Sequence, residues 1–435
     1  SDIDAALERF HPESDAEVEE FDDEPSETAL AGATRVELVD VRSGAATAPA
    51  VVLVNDVIKR AIEEGASDVH FEPQSGRLLV RARIDGVMQQ LKVVSPDLQP
   101  AVTTRLKIMG DLDIAERRAP QDGRVSIKFG GETMDLRIAV LPTVYGEQVV
   151  LRILYRSATA IDFSQLGLAD DTAEILRWAI SQPYGAIFAS GPTGSGKTTT
   201  LYAALGVLND PERVVMTIED PVEYQLDGVN QIQINPKAGL TFAQGLRTIL
   251  RSDPDVLLVG EIRDNETAKI AIQAAMTGHL VLSTLHADNA ANSISRLRDM
   301  GIDTALLAGT VNCIFSQRLV RKLCPSCTKP YRPVAETLRR AGFREEIATS
   351  DDVTLYRPRG CVQCIGGYKG RIALYEVLRV TAPMRRLIET ASAEEIYAAA
   401  IEGGMRTLYE DGLRHCLTGV TSLEEIRRVA GERRV

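Results

Sequence analysis

The spacing of apolar residues changes several times along the chain, and each change marks a different kind of element. Val52, Val54, Val57, Ile58, Ala61 and Ile62 recur every three to four residues and stop before Gly65, the pattern of an amphipathic helix with a glycine behind its end. Two hairpin signals follow. Arg77 to Ile84 meets Val87 to Val94 across Asp85-Gly86, and Arg124 to Phe129 meets Glu132 to Val140 across Gly130-Gly131. Two-residue connections of these types suit the primed turns that match strand twist. Leu98 to Met109 predicts a helix between the hairpins, and Glu147 to Leu154 a closing strand. Together they predict a small α+β domain.

After Trp178 the rhythm is different. Short apolar runs at Ala186 to Ser190, Val214 to Ile218, Val256 to Val259 and Leu280 to Ser283 alternate with helical stretches. That alternation predicts a parallel sheet with crossover helices. Polar clusters follow three of the runs: Thr217 to Glu223, Gly260 to Asp264, and Thr284 to His286. They fall where α/β sheets bind ligands, at the C-terminal ends of strands. A carboxylate there holds magnesium through water or takes a proton from an attacking water, and a histidine there senses a γ-phosphate. A single loop acid is ordinarily just solvated; three clusters after successive strands carry more weight.

The first of these runs leads into Gly191-Pro192-Thr193-Gly194-Ser195-Gly196-Lys197-Thr198, with helix-forming residues from Thr199 to Leu205 behind it. Strand, glycine-rich turn and helix start converge backbone N–H groups on one point, which favours phosphate. The glycines permit torsions and close approach that a Cβ would block; Lys197 reaches β and γ oxygens, and Thr198 ligates magnesium. Gly191 to Thr199 are therefore the expected contacts for ATP with Mg2+.

Composition narrows the class. A chain of 435 residues is too long for one ordinary core, so two or three domains are expected. Hydrophobic residues at 44% and charged ones at 25% are near the average for folded proteins, which excludes general disorder. No apolar run is long enough to span a bilayer, and the first residues lack the basic and apolar regions of a signal peptide, so a cytoplasmic protein is expected. The chain starts on Ser1 rather than Met, which points to an upstream segment. Residues 1–28 hold twelve Asp or Glu against one Arg, so of the net charge of −12 only −1 belongs to the remainder. This start reads as an acidic tail and linker. Near-neutral charge and few aromatics elsewhere lack the footprint of nucleic-acid binding.

Arginines add a further group. Arg137 and Arg152 lie on strands of the smaller domain, where the ordinary place for an arginine is a solvated face. Arg247 and Arg251, four apart on a predicted helix, either form surface pairs with acids or line a subunit boundary, where a guanidinium stabilises a transferring phosphoryl group.

Gly191 to Thr198, Thr217 to Glu223, Leu250 to Asp264 and Gly278 to His286, with Gly65 to Pro73 and Pro120 to Arg124 in the smaller domain, together resemble the secretion ATPase superfamily. The resemblance is greatest to the branch that drives type II secretion and type IV pilus assembly, and it covers nearly everything from Ala50 onward. It implies a RecA-like P-loop domain preceded by a smaller, PAS-like α+β domain, in a ring-shaped homo-hexamer. It also implies recruitment to the cytoplasmic face of the inner membrane by a platform protein, which domain motion turns. By the same resemblance Glu261 is the catalytic glutamate in the Walker B position, Glu219, Asp220 and Glu223 the acidic box, and His286 the histidine box. Arg137 and Arg152 reach the nucleotide from the small domain, with Arg247 and Arg251 as further candidates. Where the family usually carries a platform-docking domain, this chain has the acidic tail. A nucleic-acid translocase is the alternative function, since P-loop rings also pump DNA.

The cysteines supply an independent signal. Cys324-Pro-Ser-Cys327 and Cys361-Val-Gln-Cys364, with thirty-three residues between, have the spacing of a tetrahedral zinc site. Disulfides are the competing reading, which a cytosolic ATPase would not keep. Cys313 and Cys416 stand alone and are expected as small buried apolar residues. Ser392-Ala-Glu-Glu395 reads as a capping box that starts a late helix. The resulting plan is a tail at 1–49, the small domain at 50–156, a linker and first helix at 157–180, and the ATPase domain at 181–320. A zinc subdomain at 321–370 and a helical end at 371–435 complete it.

Overall fold

Two seven-stranded sheets, each built on a different burial pattern, organise the chain. They are seen in a computed structural model that describes residues 34–37, 48–155, 162–350 and 352–431. The acidic run at 1–28 lies outside the described residues.

The first sheet contains β1 (Thr34–Glu37), β2 (Ala66–Gln74), β3 (Arg77–Ile84), β4 (Val87–Val94), β5 (Gln121–Phe129), β6 (Glu132–Thr143) and β7 (Gly146–Tyr155). Their order is β1-β5-β6-β7-β2-β3-β4, antiparallel throughout except where β1 runs parallel to β5. Thr34–Glu37, expected as linker, instead extends the sheet edge. Both predicted two-residue turns have positive φ at each position (49° and 81° at Asp85 and Gly86, 60° and 88° at Gly130 and Gly131), as primed turns require. Helices α1 (Pro49–Glu63) and α2 (Gln99–Met109) lay Val54, Ile58, Val102 and Leu106 against Val69, Phe71, Val80 and Leu136 of the sheet. The opposite face is left to polar side chains.

The second sheet is apolar on both sides. It comprises β8 (Gly185–Ser190), β9 (Val215–Glu219), β10 (Asn230–Gln233), β11 (Val256–Val259), β12 (Leu280–Leu285) and β13 (Val311–Leu323). After the two-stranded sheet of β14 (Lys329–Tyr331) and β15 (Leu355–Arg357), β16 (Tyr368–Arg379) completes it. The order is β10-β9-β11-β12-β8-β13-β16, and every pair is parallel except β13 with β16. All residues of β8, β11 and β12 are buried. Helices α3 (Asp170–Ile180) and α4 (Lys197–Leu208) cover one face. The other face is covered by α5 (Phe242–Ile249), α6 (Asn265–Met276), α7 (Ala290–Asp299) and α8 (Thr304–Thr310).

Short helices α9 (Ala335–Arg340) and α10 (Glu345–Ala348) follow β14. The chain then ends in α11 (Ala382–Thr390), α12 (Ala393–Glu402), α13 (Leu408–Leu417) and α14 (Leu423–Ala430). The predicted capping box at Ser392 and Glu395 opens α12, and Thr407 with Glu410 forms another at α13. Helix α14 is tied to β13 where Arg321 and Arg428 fork onto the buried Glu425; against the cost of burial, those bonds hold its carboxyl down at about 2. Among the described residues no helix is long and apolar enough to cross a membrane.

Candidate active site

The wholly buried β8 delivers Ser190 to the tip of the second sheet, where the chain turns through Gly191, Gly194 and Gly196 at φ 139°, 76° and 88°. These torsions suit glycine, and at Gly191 space does too: a Cβ there would lie 2.5 Å from the carbonyl oxygen of Gln317. Gly196 caps α4, so Lys197 and Thr198 sit on its first turn. The Lys197 ammonium folds back onto the carbonyls of Gly191 and Pro192, at 2.8 and 3.0 Å. Burial, and then the neighbouring charge of Arg318, lower its pKa to about 8. The helix is anchored from below by Thr200, whose hydroxyl donates to Gln317 Oε1 at 2.9 Å and meets the Tyr375 hydroxyl at 3.0 Å. Two features fit a bound phosphate chain: the left-handed glycines at a helix start, and the buried Ser195 Oγ, which finds no hydrogen-bond partner among the described residues. Thr198, half-buried on the same turn, has the hydroxyl that could hold Mg2+.

Two strands away, Glu261 follows β11. Its support comes from β12: Thr284 Oγ1 donates to the carbonyl of Gly260 at 2.8 Å, and the N–H of Ile262 donates to the carbonyl of Thr284 at 3.1 Å. Glu261 Oε2 stands 3.6 Å from His286 Nε2, and Oε1 stands 2.5 Å from Arg263. β11, β12 and β8 are adjacent and parallel, so the sequence-predicted glutamate, histidine and lysine beyond their C-terminal ends share one edge, and the charge of Glu261 opposes the lowering of the Lys197 pKa.

Glu219 behaves differently from its acidic neighbours. It is buried, and it accepts from Tyr202 at 2.5 Å, Thr217 at 2.6 Å and Gln231 at 3.3 Å. Burial raises its pKa despite those donors. This enclosure joins β9 to α4 and leaves Glu219 little freedom to meet a ligand. Asp220 and Glu223 are exposed and face the first sheet.

The wet face of the first sheet carries arginines, and the charges of Glu223 and Asp220 act on Arg137. Register places Arg124, Arg137, Arg152, Asp68 and Arg83 side by side on five adjacent strands. Asp68 accepts from Arg152 Nε at 3.0 Å and lies 3.8 Å from Arg83. Burial, then the like charge of Arg124, lower the pKa of Arg137, while Glu223 and Asp220 act against that shift. Arg137 Nε has no hydrogen-bond partner among the described residues, and a cavity of about 430 Å³ lies between Arg124, Arg137 and Arg152. A desolvated guanidinium with an unpartnered Nε beside a cavity is suited to an oxyanion.

Arg247 and Arg251 are not brought to these tips. Arg247 makes an exposed pair with Glu266 at 2.5 Å, and Arg251 donates to the carbonyl of Arg247 at 3.0 Å. The predicted helix is also shorter than expected, since α5 stops at Ile249 and Arg251 lies beyond its cap.

The two cysteine knuckles meet because β13 and β16 are antiparallel neighbours. Leu323, just before Cys324, is in register with Tyr368, just after the second knuckle. Cys324 and Cys361 sulfurs are 3.9 Å apart, and Cys364 lies 3.6 Å from both Cys327 and Cys361. All four fall within 4.8 Å of one another. Four thiolates about 2.3 Å from one tetrahedral ion would be about 3.8 Å apart, so the set fits zinc. Cys313 and Cys416 are buried elsewhere, and burial pushes both thiols up to about 12.

A glycine-rich turn on a parallel sheet, with carboxylate and histidine on the next strands, defines a P-loop ATPase of RecA-like fold. The family described as Type II/IV secretion system protein matches residues 44–428, and the chain belongs to it. Type II secretion system protein E of Dickeya dadantii is 46% identical over 394 residues, covering 90% of this chain and 78% of that protein. Type IV pilus assembly ATPase PilB of Acinetobacter baylyi is 44% identical over 387 residues, covering 88% and 67%. Among solved structures, the pilus retraction motor PilT with bound ADP aligns with a TM-score of 0.56 at 27% identity, covering 86% of this chain and 95% of that one. The ATPase DotB of Legionella pneumophila aligns at 0.63 and 21% identity, covering 90% and 98%, which bears on the fold alone.

Sequence reading missed Arg124, Asp68, Arg263 and Arg318. Their neighbours were legible, but register across strands decides which of them share a face.

Proposed function

We propose that this chain hydrolyses ATP as one subunit of a hexameric motor that drives type II secretion or type IV pilus assembly. The observation that carries the proposal is the convergence of Lys197, Glu261 and His286 on one sheet edge, with the arginine row of the other sheet facing its acidic box. Lys197 and the N–H groups of the glycine turn bind the phosphates. Glu261 orients the attacking water and takes its proton, with His286 beside it. Arg137 and Arg152 neutralise charge that develops on the transferring group. Thr198 would hold Mg2+ through its hydroxyl, and the ion would supply charge neutralisation for the phosphate chain. Glu219 acts by holding β9 to α4, and Arg247 and Arg251 lie where a neighbouring subunit would have to meet them. Closing the two sheets on one triphosphate is the output stroke, delivered to an inner-membrane platform protein that recruits the motor to the cytoplasmic face of the membrane. Cys324, Cys327, Cys361 and Cys364 would hold zinc, which would close the knuckles and supply folding free energy on the order of 10 kcal/mol.

The test is turnover by the full chain loaded with zinc. Glu261→Gln is expected to bind ATP and lose hydrolysis by about 10²-fold or more. Near-normal turnover would remove Glu261 from the chemistry. Capture of an inner-membrane platform protein with ATP and not ADP would identify the machine, while equal capture would detach the partner from the nucleotide cycle. Metal analysis should return one zinc per chain, and less than about half an equivalent would count against the knuckles.

A further inference from the structure

The loop that carries His286 leaves the sheet after Leu285, and the His286 side chain is 51% exposed. Something other than strand pairing must hold it beside Glu261. We propose that Arg318, at the C-terminal half of β13, is the positioning residue that fixes this loop against the first residue of the phosphate loop. The proposal rests on the reading of Glu261 and His286 given above, and assigns Arg318 no direct contact with nucleotide.

The placement follows from register. β13 runs parallel to β8 with Ser316 opposite Ser190, so Gln317 and Arg318 lie alongside Gly191. The Arg318 side chain then crosses the tip of β8 to reach the loop after β12. Its Nη1 donates to the carbonyl of Gln317 at 3.1 Å and its Nη2 to the carbonyl of Asp288 at 3.0 Å. The crossing lies close over Gly191: a Cβ there would stand 3.0 Å from Arg318 Nη1 and 2.5 Å from the Gln317 carbonyl oxygen. Ser316 Oγ donates to the same Asp288 carbonyl at 3.3 Å, so two side chains of β13 hold one peptide of the loop. Two residues further on, the N–H of Ala290 donates to the buried Glu376 of β16 at 3.0 Å. The segment between His286 and Ala290 is thereby pinned to the strands on the far side of the phosphate loop.

The main chain, rather than a charge pair, is what Arg318 grips. The Asp288 carboxylate is 3.8 Å away and its side chain is 95% exposed, whereas the Arg318 side chain is only 16% exposed. A half-buried guanidinium that spends its donors on carbonyls sets geometry. Its positive charge also helps to lower the pKa of Lys197.

A cycle of substitutions in the full, zinc-loaded chain tests this. Arg318→Ala is expected to lower kcat about tenfold or more, since small displacements of a catalytic group are costly. Affinity for ADP, measured by titration with a fluorescent analogue, should stay within about threefold, because binding contacts are not removed. Combined with His286→Ala, it should lower kcat no further than the worse of the two single changes. Arg318→Lys should recover only part of the loss, Ser316→Ala should act in the same direction but more weakly, and Asp288→Ala should leave kcat unchanged. Unchanged kcat in Arg318→Ala would overturn the proposal. So would a fall in ADP affinity matching the fall in kcat, or losses that multiply in the double variant. If Arg318→Ala fails to fold, judged by melting and zinc content, Arg318→Lys and Ser316→Ala carry the same cycle with His286→Ala. Normal turnover in both Glu261→Gln and His286→Ala would sink the underlying site assignment. Impaired His286→Ala beside normal Arg318→Ala would sink only the bridge.

Discussion

The parallel sheet carries its charged groups at strand tips, whereas the antiparallel sheet carries them in a row across the middle of its strands, and burial explains the difference. Helices cover both faces of the parallel sheet, so only the ends of β9, β11 and β12 can present Asp220, Glu261 and His286 to solvent. The antiparallel sheet is covered on one face by α1 and α2, which frees the other for Arg124, Arg137, Arg152 and Arg83. One sheet presents an edge of acids, the other a face of bases. Neither arrangement is complete alone, since phosphoryl transfer needs an activated water and neutralised oxyanion charge together. In the proposed motor, separating them onto two sheets would let the approach of one to the other govern hydrolysis.

Several substitutions would sharpen or break this contrast. Of these a large effect is expected at Asp68, which orients Arg152 through the bond to Nε. Asp68→Asn should reduce kcat about tenfold with little change in ADP affinity, because a misdirected guanidinium forfeits transition-state contact rather than binding. Unchanged kcat would mean that the row does not depend on its one embedded carboxylate. Next comes Glu219, read as a buried brace. Glu219→Ala strands the hydroxyls of Tyr202 and Thr217, and a loss of about 1–3 kcal/mol in unfolding free energy is expected for each donor left unsatisfied. Full stability with abolished turnover would instead place Glu219 in the chemistry.

The pH profile is a subtler discriminator. Burial and Arg318 bring the Lys197 pKa down to about 8, and a bound polyphosphate favours the protonated form. Charge on Lys197 is therefore present below pH 8 and lost above it in the free protein. kcat/KM, which reports free-protein ionisations, should fall as pH rises through about 8. A profile that stays flat well beyond that would place the ammonium outside the binding step. The smallest effect is expected at Arg247, whose pair with Glu266 is solvent-exposed on both sides. Arg247→Ala should change stability by less than about 1 kcal/mol, and any turnover loss rescued by mixing with another variant would show that it acts across a subunit boundary.

Much of this was legible in the sequence, and what was hidden has a physical cause. The phosphate loop, the four buried strands and both hairpins announce themselves through local patterns, since strand, glycine turn and helix start are neighbours in the chain. The cysteine knuckles are equally local, although what unites them is the pairing of β13 with β16. β13 itself was missed, because a long strand reading Val-Asn-Cys-Ile-Phe-Ser-Gln-Arg mixes apolar and polar residues without clean alternation. Arg318 was hidden with it: its neighbour Gly191 and its partner Asp288 come from distant stretches of chain. Thr34–Glu37 gave no signal of its own, and pairs only because β5 offers a free edge. Arg124 and Asp68 lay inside motifs that were noticed, but alternation says only which residues share a face. It does not say that five strands align them in one row.

The central claim is that both sheets enclose a single triphosphate. The most direct test is the steady-state ATP turnover of the zinc-loaded chain carrying Arg137→Ala and Arg152→Ala together, measured beside its ADP affinity. The account expects turnover to fall by about 10²-fold or more while ADP binding, which relies on the glycine turn and Lys197, persists. Turnover close to that of the unaltered chain would contradict it, and would leave the parallel sheet to do the chemistry alone.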